Sequence, residues 1–163
     1  NSDLANNFGN LCQRVIAFNE KNFNLKIPNK DIFSDEDLKL LNKFTDNIDK
    51  LRNEIDNQNL NFYINFIIER LFEANKYFND QEPWKKKDDL KRLNTIVYVA
   101  LELIRKISIM LYPIIPDSSK KVLSIFNMHD KIDFGSIKTH ESLKENDVIN
   151  KIPILFKKIE KND

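Results

Sequence analysis

The stretch DDLKRLNTIVYVALELIRKISIML, residues 88–111, decides the fold. Leu90, Leu93, Val97, Ala100, Ile104, Ile107 and Leu111 recur at steps of three and four, the period of one helix face. Val99, Leu103 and Met110 carry apolar surface round to the other side, and a helix that is apolar nearly all round belongs at the centre of its fold. Asp88 and Asp89 open it, placing acids at the positive end of the helix dipole. Pro113 and Pro116 stop it.

The segments before it read as helices that need such a core. Leu60, Ile64, Ile67, Leu71, Ala74 and Phe78 form one stripe, widened by Phe62, Phe66 and Phe72, and this helix ends before Pro83. Ser34 followed by Asp35, Glu36 and Asp37 is a capped start; Leu41, Phe44, Ile48, Leu51 and Ile55 then predict one helix at the outside of a bundle. From residue 2 to about 23, Leu4, Phe8, Leu11, Val15 and Phe18 make a clean stripe beside a polar line of Asp3, Asn7, Asn10, Arg14 and Lys21. Gly9 inside that helix costs about 1 kcal/mol against Ala, which points to close packing or close approach of a ligand. A short helix is expected over residues 118–126. Beyond it the pattern weakens into a loop-rich tail, although residues 152–159 are apolar enough to fold back. The expectation is an all-α bundle of about five helices with antiparallel neighbours, a bundle over residues 1–127 and a tail over 128–163 partly packed back on it.

Composition narrows the function classes. The 163 residues suit a single domain, and 26 basic against 25 acidic side chains give a net charge of +1, which excludes indiscriminate coating of nucleic acid but not a local basic patch. Two glycines cannot build a glycine-rich phosphate loop, and two glycines with five prolines supply too few turns for a β-sandwich. Cys12 is the one cysteine, so no internal disulfide forms and a reducing, cytoplasmic setting is expected. No apolar run approaches the ~18–20 residues of a membrane span and no leader pattern opens the chain; no membrane association is expected. His129 and His140 fall in the least patterned region without a second ligand, so neither a catalytic nor a metal site is expected in this chain.

Two features suit recognition. Asn10 and Arg14 lie one turn apart on one helix face and together offer an amide and a five-donor guanidinium. Such a pair can interrogate a base edge: the amide carbonyl takes the cytosine amine while the arginine donates to its acceptors. Taken alone, the pair reads first as an ordinary exposed helix face. Trp84 follows Pro83 at a helix junction and precedes Lys85, Lys86 and Lys87, with Arg92 a turn further on. That arrangement reads either as a stacking platform with cations to hold phosphates or as an indole capping the core beside solvated lysines.

The two features together resemble the C-terminal anticodon-binding domain of methionyl-tRNA synthetases of bacterial and mitochondrial type. The resemblance is carried by Asn1-Ser2-Asp3-Leu4-Ala5-Asn6, Gly9-Asn10-Leu11 running to Arg14, and Ala74-Asn75-Lys76-Tyr77-Phe78 leading into Pro83-Trp84. Leu93-Asn94-Thr95, Pro113-Ile114-Ile115-Pro116 and Pro153-Ile154-Leu155-Phe156-Lys157-Lys158-Ile159 extend it along the chain. It implies a non-catalytic helical domain that reads the CAU anticodon of initiator and elongator methionine tRNAs. Asn10 and Arg14 would contact the anticodon C, Trp84 would stack on it, and Asn75 and Tyr77 would position the Trp84 junction. Lys85, Lys86, Lys87 and Arg92 would attract the backbone. The adenylation signatures are absent, so ATP, Mg²⁺ and the ligase reaction would belong to an N-terminal catalytic domain outside this chain. The alternatives are the matching domain of a synthetase for valine, isoleucine, leucine or cysteine, and a helical protein-interaction module without RNA binding.

Overall fold

The computed structural model describes residues 2–130 and 132–152. Among these residues the fold is the expected all-α bundle, with six helices: α1 (Ser2–Phe23), α2 (Asp35–Asp46), α3 (Ile48–Asp56), α4 (Leu60–Gln81), α5 (Leu90–Leu111) and α6 (Pro116–Ile125). Two 3₁₀ turns, Pro83–Lys85 and Phe134–Lys138, complete it. Every residue of α5 from Thr95 to Leu111 is buried, and α1, α4 and α6 pack around it. Among the described residues no helix is long and apolar enough to cross a membrane. The 153–159 stretch, and Asn1, lie outside the described residues.

Helix limits follow local chemistry. Ser34 and Asp37 form a reciprocal capping box: the Asp37 N–H donates to Ser34 Oγ at 3.1 Å and the Ser34 N–H to Asp37 Oδ2 at 3.0 Å. The helix expected from residue 35 to 55 is interrupted. Asn47 leaves helical geometry at φ −113° and ψ 3°, ending α2 and preceding α3. Thr45, Asp46 and Asn47 are weak helix formers whose side chains compete for the backbone; the Asn47 amide donates to the Lys43 carbonyl at 3.1 Å. At its other limit α6 starts at Pro116, two residues ahead of expectation, because proline at the first helical position loses no hydrogen bond.

The segment after α6 is built into the fold by polar groups. Glu102, Arg105 and Lys106 are all buried on the core helix. The Arg105 guanidinium donates to Glu102 (2.9 Å), to Ser136 Oγ (3.1 Å) and to the Thr139 carbonyl (2.9 Å). Lys106 Nζ donates to the carbonyls of Ile137 and Thr139, and Glu102 accepts the Leu143 N–H at 3.0 Å. Tyr98 adds a 2.6 Å bond to the Leu143 carbonyl. Further on, Lys26 and Val148 form an antiparallel bridge.

Burial pushes the Lys106 ammonium down to about 7, with Arg105 adding to the effect and Glu102 opposing it. A free lysine titrates near ~10.4, so between the two values the unfolded chain binds a proton that the folded chain does not. Stability therefore rises with pH across that window. Measured by urea unfolding between about pH 7 and pH 9, the native chain is expected to gain stability relative to Lys106→Met, by up to about 1.4 kcal/mol per pH unit. Parallel pH profiles for the two proteins would refute this.

Candidate nucleic-acid interface

The candidate residues gather where α1 meets the C-terminal end of α4 and the turn that follows. Asn10 and Arg14 are both exposed on α1. Arg14 crosses to α4, where Nη1 donates to Asn75 Oδ1 at 3.3 Å and Nη2 donates to Asn79 Oδ1. Its guanidinium carbon lies 5.5 Å from the centroid of the Phe78 ring, within cation–π range. Two amides and a ring thus hold a side chain that an exposed arginine would otherwise wave through many rotamers. Asn75 is itself steadied by donating to the Leu71 carbonyl at 3.2 Å.

Trp84 reaches the same place from another direction. Glu82 takes the left-handed conformation at φ 47°, ending α4 and turning the chain into Pro83. Pro83 is buried while Trp84 remains 43% exposed. The indole packs edge-on against Phe78 with centroids 6.1 Å apart and planes at 65°. Phe78, 2% exposed, is in turn wedged against Phe18 of α1 at 6.0 Å. Arg14 and Trp84 therefore rest on one buried ring. Asn10 stands one turn from Arg14 on the same exposed face, with no side-chain hydrogen bond among the described residues.

The cations divide by environment. Lys87 is exposed and forms no ion pair among the described residues. Lys85 is exposed and pairs with Glu82 at 2.7 Å; its hydrogen bond and charge draw the Glu82 carboxyl below the ordinary range. Lys86 is partly buried and donates to the Gln81 carbonyl. Arg92 departs from expectation. It is half-buried and already engaged, donating to both Asp37 oxygens (2.7 and 2.9 Å) and to Gln81 Oε1 (2.9 Å). Asp37 is fully buried, so this arginine is a counter-charge that ties α5 to α2 and not a free phosphate ligand.

Tyr77 belongs to the same network, its hydroxyl donating to Asp37 Oδ1 at 2.7 Å. Burial alone would raise the Asp37 carboxyl; the hydrogen bonds from Arg92, Tyr77 and the Ser34 main chain outweigh it and hold the group below the ordinary carboxylate range. The sequence reading passed over Asn79, and took Phe78 only as part of an apolar stripe and Asp37 only as an acid of the capped helix start. A signal existed for Asn79: it sits four residues after Asn75, which stacks two amide oxygens on one face of α4.

A sequence profile of the anticodon binding domain of methionyl tRNA ligase matches residues 27–163. The chain belongs to that family. A methionine–tRNA ligase of Brucella suis is 37% identical over 139 residues, covering 84% of this chain and 27% of the relative. That of Thermotoga maritima is 33% identical over 165 residues, covering all of this chain, α1 included, and 26% of the relative. The chain thus spans about a quarter of the length of these curated relatives. The free-state methionyl-tRNA synthetase of Mycobacterium tuberculosis superposes with a TM-score of 0.82 at 28% identity, over 93% of this chain and 32% of its own. The same enzyme in complex with methionyl-adenylate gives 0.82 at 29% identity, over 91% of this chain and 30% of its own.

Proposed function

We propose that this chain is the anticodon-binding part of a cytoplasmic methionine–tRNA ligase and selects initiator and elongator methionine tRNAs by the CAU anticodon. The observation that carries the reading is the exposed pair of Arg14 and Trp84 seated on Phe78 beside Asn10. A single-stranded loop base, unstacked from its neighbours, lies on the exposed indole. Arg14 keeps donors to spare after serving Asn75 and Asn79 and directs them at the cytosine acceptors, while the Asn10 carbonyl takes the exocyclic amine. Uracil presents nearly the reverse order and is refused at about 1–3 kcal/mol, the worth of a good polar pair in base readout.

Lys85, Lys86 and Lys87 act on the phosphates, Lys87 most directly because it is uncommitted among the described residues. Methionine activation with ATP and Mg²⁺ is assigned to a catalytic domain elsewhere in the longer protein, and no residue of this chain is given a role in it.

The test is binding of anticodon stem-loops bearing CAU or UAU at two salt concentrations. A preference for CAU of tenfold or more supports the reading; equal binding, or none at low salt, overturns it. Lys87→Ala is expected to weaken both loops alike and to make the log–log salt slope shallower by about 0.7, the value of one phosphate contact on a single strand.

A further inference from the structure

A pocket opens between α1 and α4 next to the Arg14 contacts. It measures about 330 Å³ and is lined by Asp3 and Asn7 of α1 and by Ile68, Leu71, Phe72 and Asn75 of α4. That volume falls at the small end of the range for ligand pockets. Its lip is apolar and open: Phe72 is 69% exposed and Ile68 47%, and the two stand one helical turn apart. Scattered exposed apolar residues are ordinary, whereas adjacent ones at the mouth of a pocket mark a contact surface. Asn75 belongs to both places. Its Oδ1 accepts from Arg14 at 3.3 Å, and the same residue lines the pocket. The pocket is therefore continuous with the surface that holds Arg14, and Asn7 precedes Asn10 by only about 4.5 Å along the helix axis.

We infer that this pocket receives the base next to the anticodon cytosine, stacked on Phe72, and that Asp3 and Asn7 require that base to carry an exocyclic amine. The inference rests on the anticodon-binding reading. Asp3 and Asn7 lie four residues apart, so their side chains stand side by side on α1. Both are exposed, and neither forms a side-chain hydrogen bond or ion pair among the described residues. An ionised carboxylate only accepts; an amide both donates and accepts. Adenine shows an amine beside the N7 acceptor, the edge that an asparagine meets with two bonds. The second hydrogen of that amine is left for Asp3. Guanine and uracil place a carbonyl oxygen where adenine has its amine, and that oxygen would face the carboxylate.

The work is thus divided. The ring holds any base by stacking, and the polar pair makes the choice. In CAU the neighbour of the cytosine is adenine, which carries the required amine. The polar pair also separates a base from an apolar protein surface as the occupant, since the latter would bury the Asp3 carboxylate without a donor.

The test compares stem-loops bearing CAU, CGU and UAU with a loop in which unsubstituted purine replaces the adenine. The native chain is expected to bind CAU at least tenfold more tightly than either CGU or the purine loop. Asp3→Asn gains an amide that can donate to a carbonyl oxygen. It is expected to shrink the CAU-over-CGU ratio tenfold or more while the CAU-over-UAU ratio stays native. Phe72→Ala is expected to weaken CAU and CGU alike, by tenfold or more. Both side chains are exposed, so the far-UV circular dichroism of either variant should match the native chain. A purine loop that binds as well as CAU, a ratio untouched by Asp3→Asn, or binding untouched by Phe72→Ala overturns the base pocket and assigns the apolar lip to a protein contact. Any of these leaves the preference for CAU over UAU, and so the cytosine reading, standing. A native chain that binds CAU and UAU equally overturns the anticodon reading, and this inference with it.

Discussion

Trp84→Ala is expected to reduce affinity for the CAU stem-loop by tenfold or more while leaving the bundle folded. Stacking of a base on an aromatic side chain is worth about 1–3 kcal/mol, and no neighbouring ring is placed to substitute: Phe78, against which the indole leans, is buried. The junction should survive the change. Its shape comes from buried Pro83 and left-handed Glu82, with the Lys85 N–H closing the turn on the Glu82 carbonyl at 2.9 Å. With 43% of Trp84 already exposed, its removal forfeits only part of the burial energy of a core indole. Trp84→Phe should retain an intermediate affinity. Because the chain has one tryptophan, fluorescence quenching on addition of the loop reads the stack directly. Unchanged affinity in the alanine variant, or an indole emission indifferent to saturating RNA, would refute the platform.

Asp37→Ala is expected to lower stability by about 3–5 kcal/mol, the cost of stripping one partner from a buried ion pair. The carboxylate is fully buried and accepts from Arg92, from the Tyr77 hydroxyl and from the Ser34 N–H. Its loss leaves a half-buried guanidinium without its counter-charge and removes half of a capping box. Asp37→Asn preserves shape and forfeits charge, so it should fall between the two. Since the folded carboxyl lies below its unfolded value, the stability it contributes is present above the ordinary carboxylate range and disappears as pH falls through the folded value. Urea unfolding at neutral and at acid pH should therefore find the native protein and Asp37→Asn converging in acid. A loss under 1 kcal/mol for Asp37→Ala at neutral pH would show the network to be dispensable.

The legible parts were those governed by period and punctuation. The stripes of α1, α4 and α5, the Ser34 cap and the proline stop after α5 are local signals, and the described helices follow them closely. Contacts that join distant charged groups left no such trace. Arg92 reads as a surface cation because nothing near it in sequence announces that Asp37, 55 positions away, is buried beneath it. The region after α6 reads only as a loop-rich tail because its anchors are main-chain carbonyls, which every residue has, taken up by Arg105 and Lys106 inside an apolar helix. For the interface, Arg14 and Trp84 were visible as residue types; the ring that gathers them was counted only as part of an apolar stripe.

That shared ring has a consequence for recognition. Phe78 touches both the guanidinium and the indole, so on the anticodon reading it would serve as a fulcrum between them, a nucleotide pressing on one side shifting the bearing of the other. The energies of the two contacts are then coupled, since groups sharing a partner do not contribute additively. On the anticodon reading proposed above, a double-mutant cycle on Arg14 and Trp84 should therefore give an interaction energy different from zero.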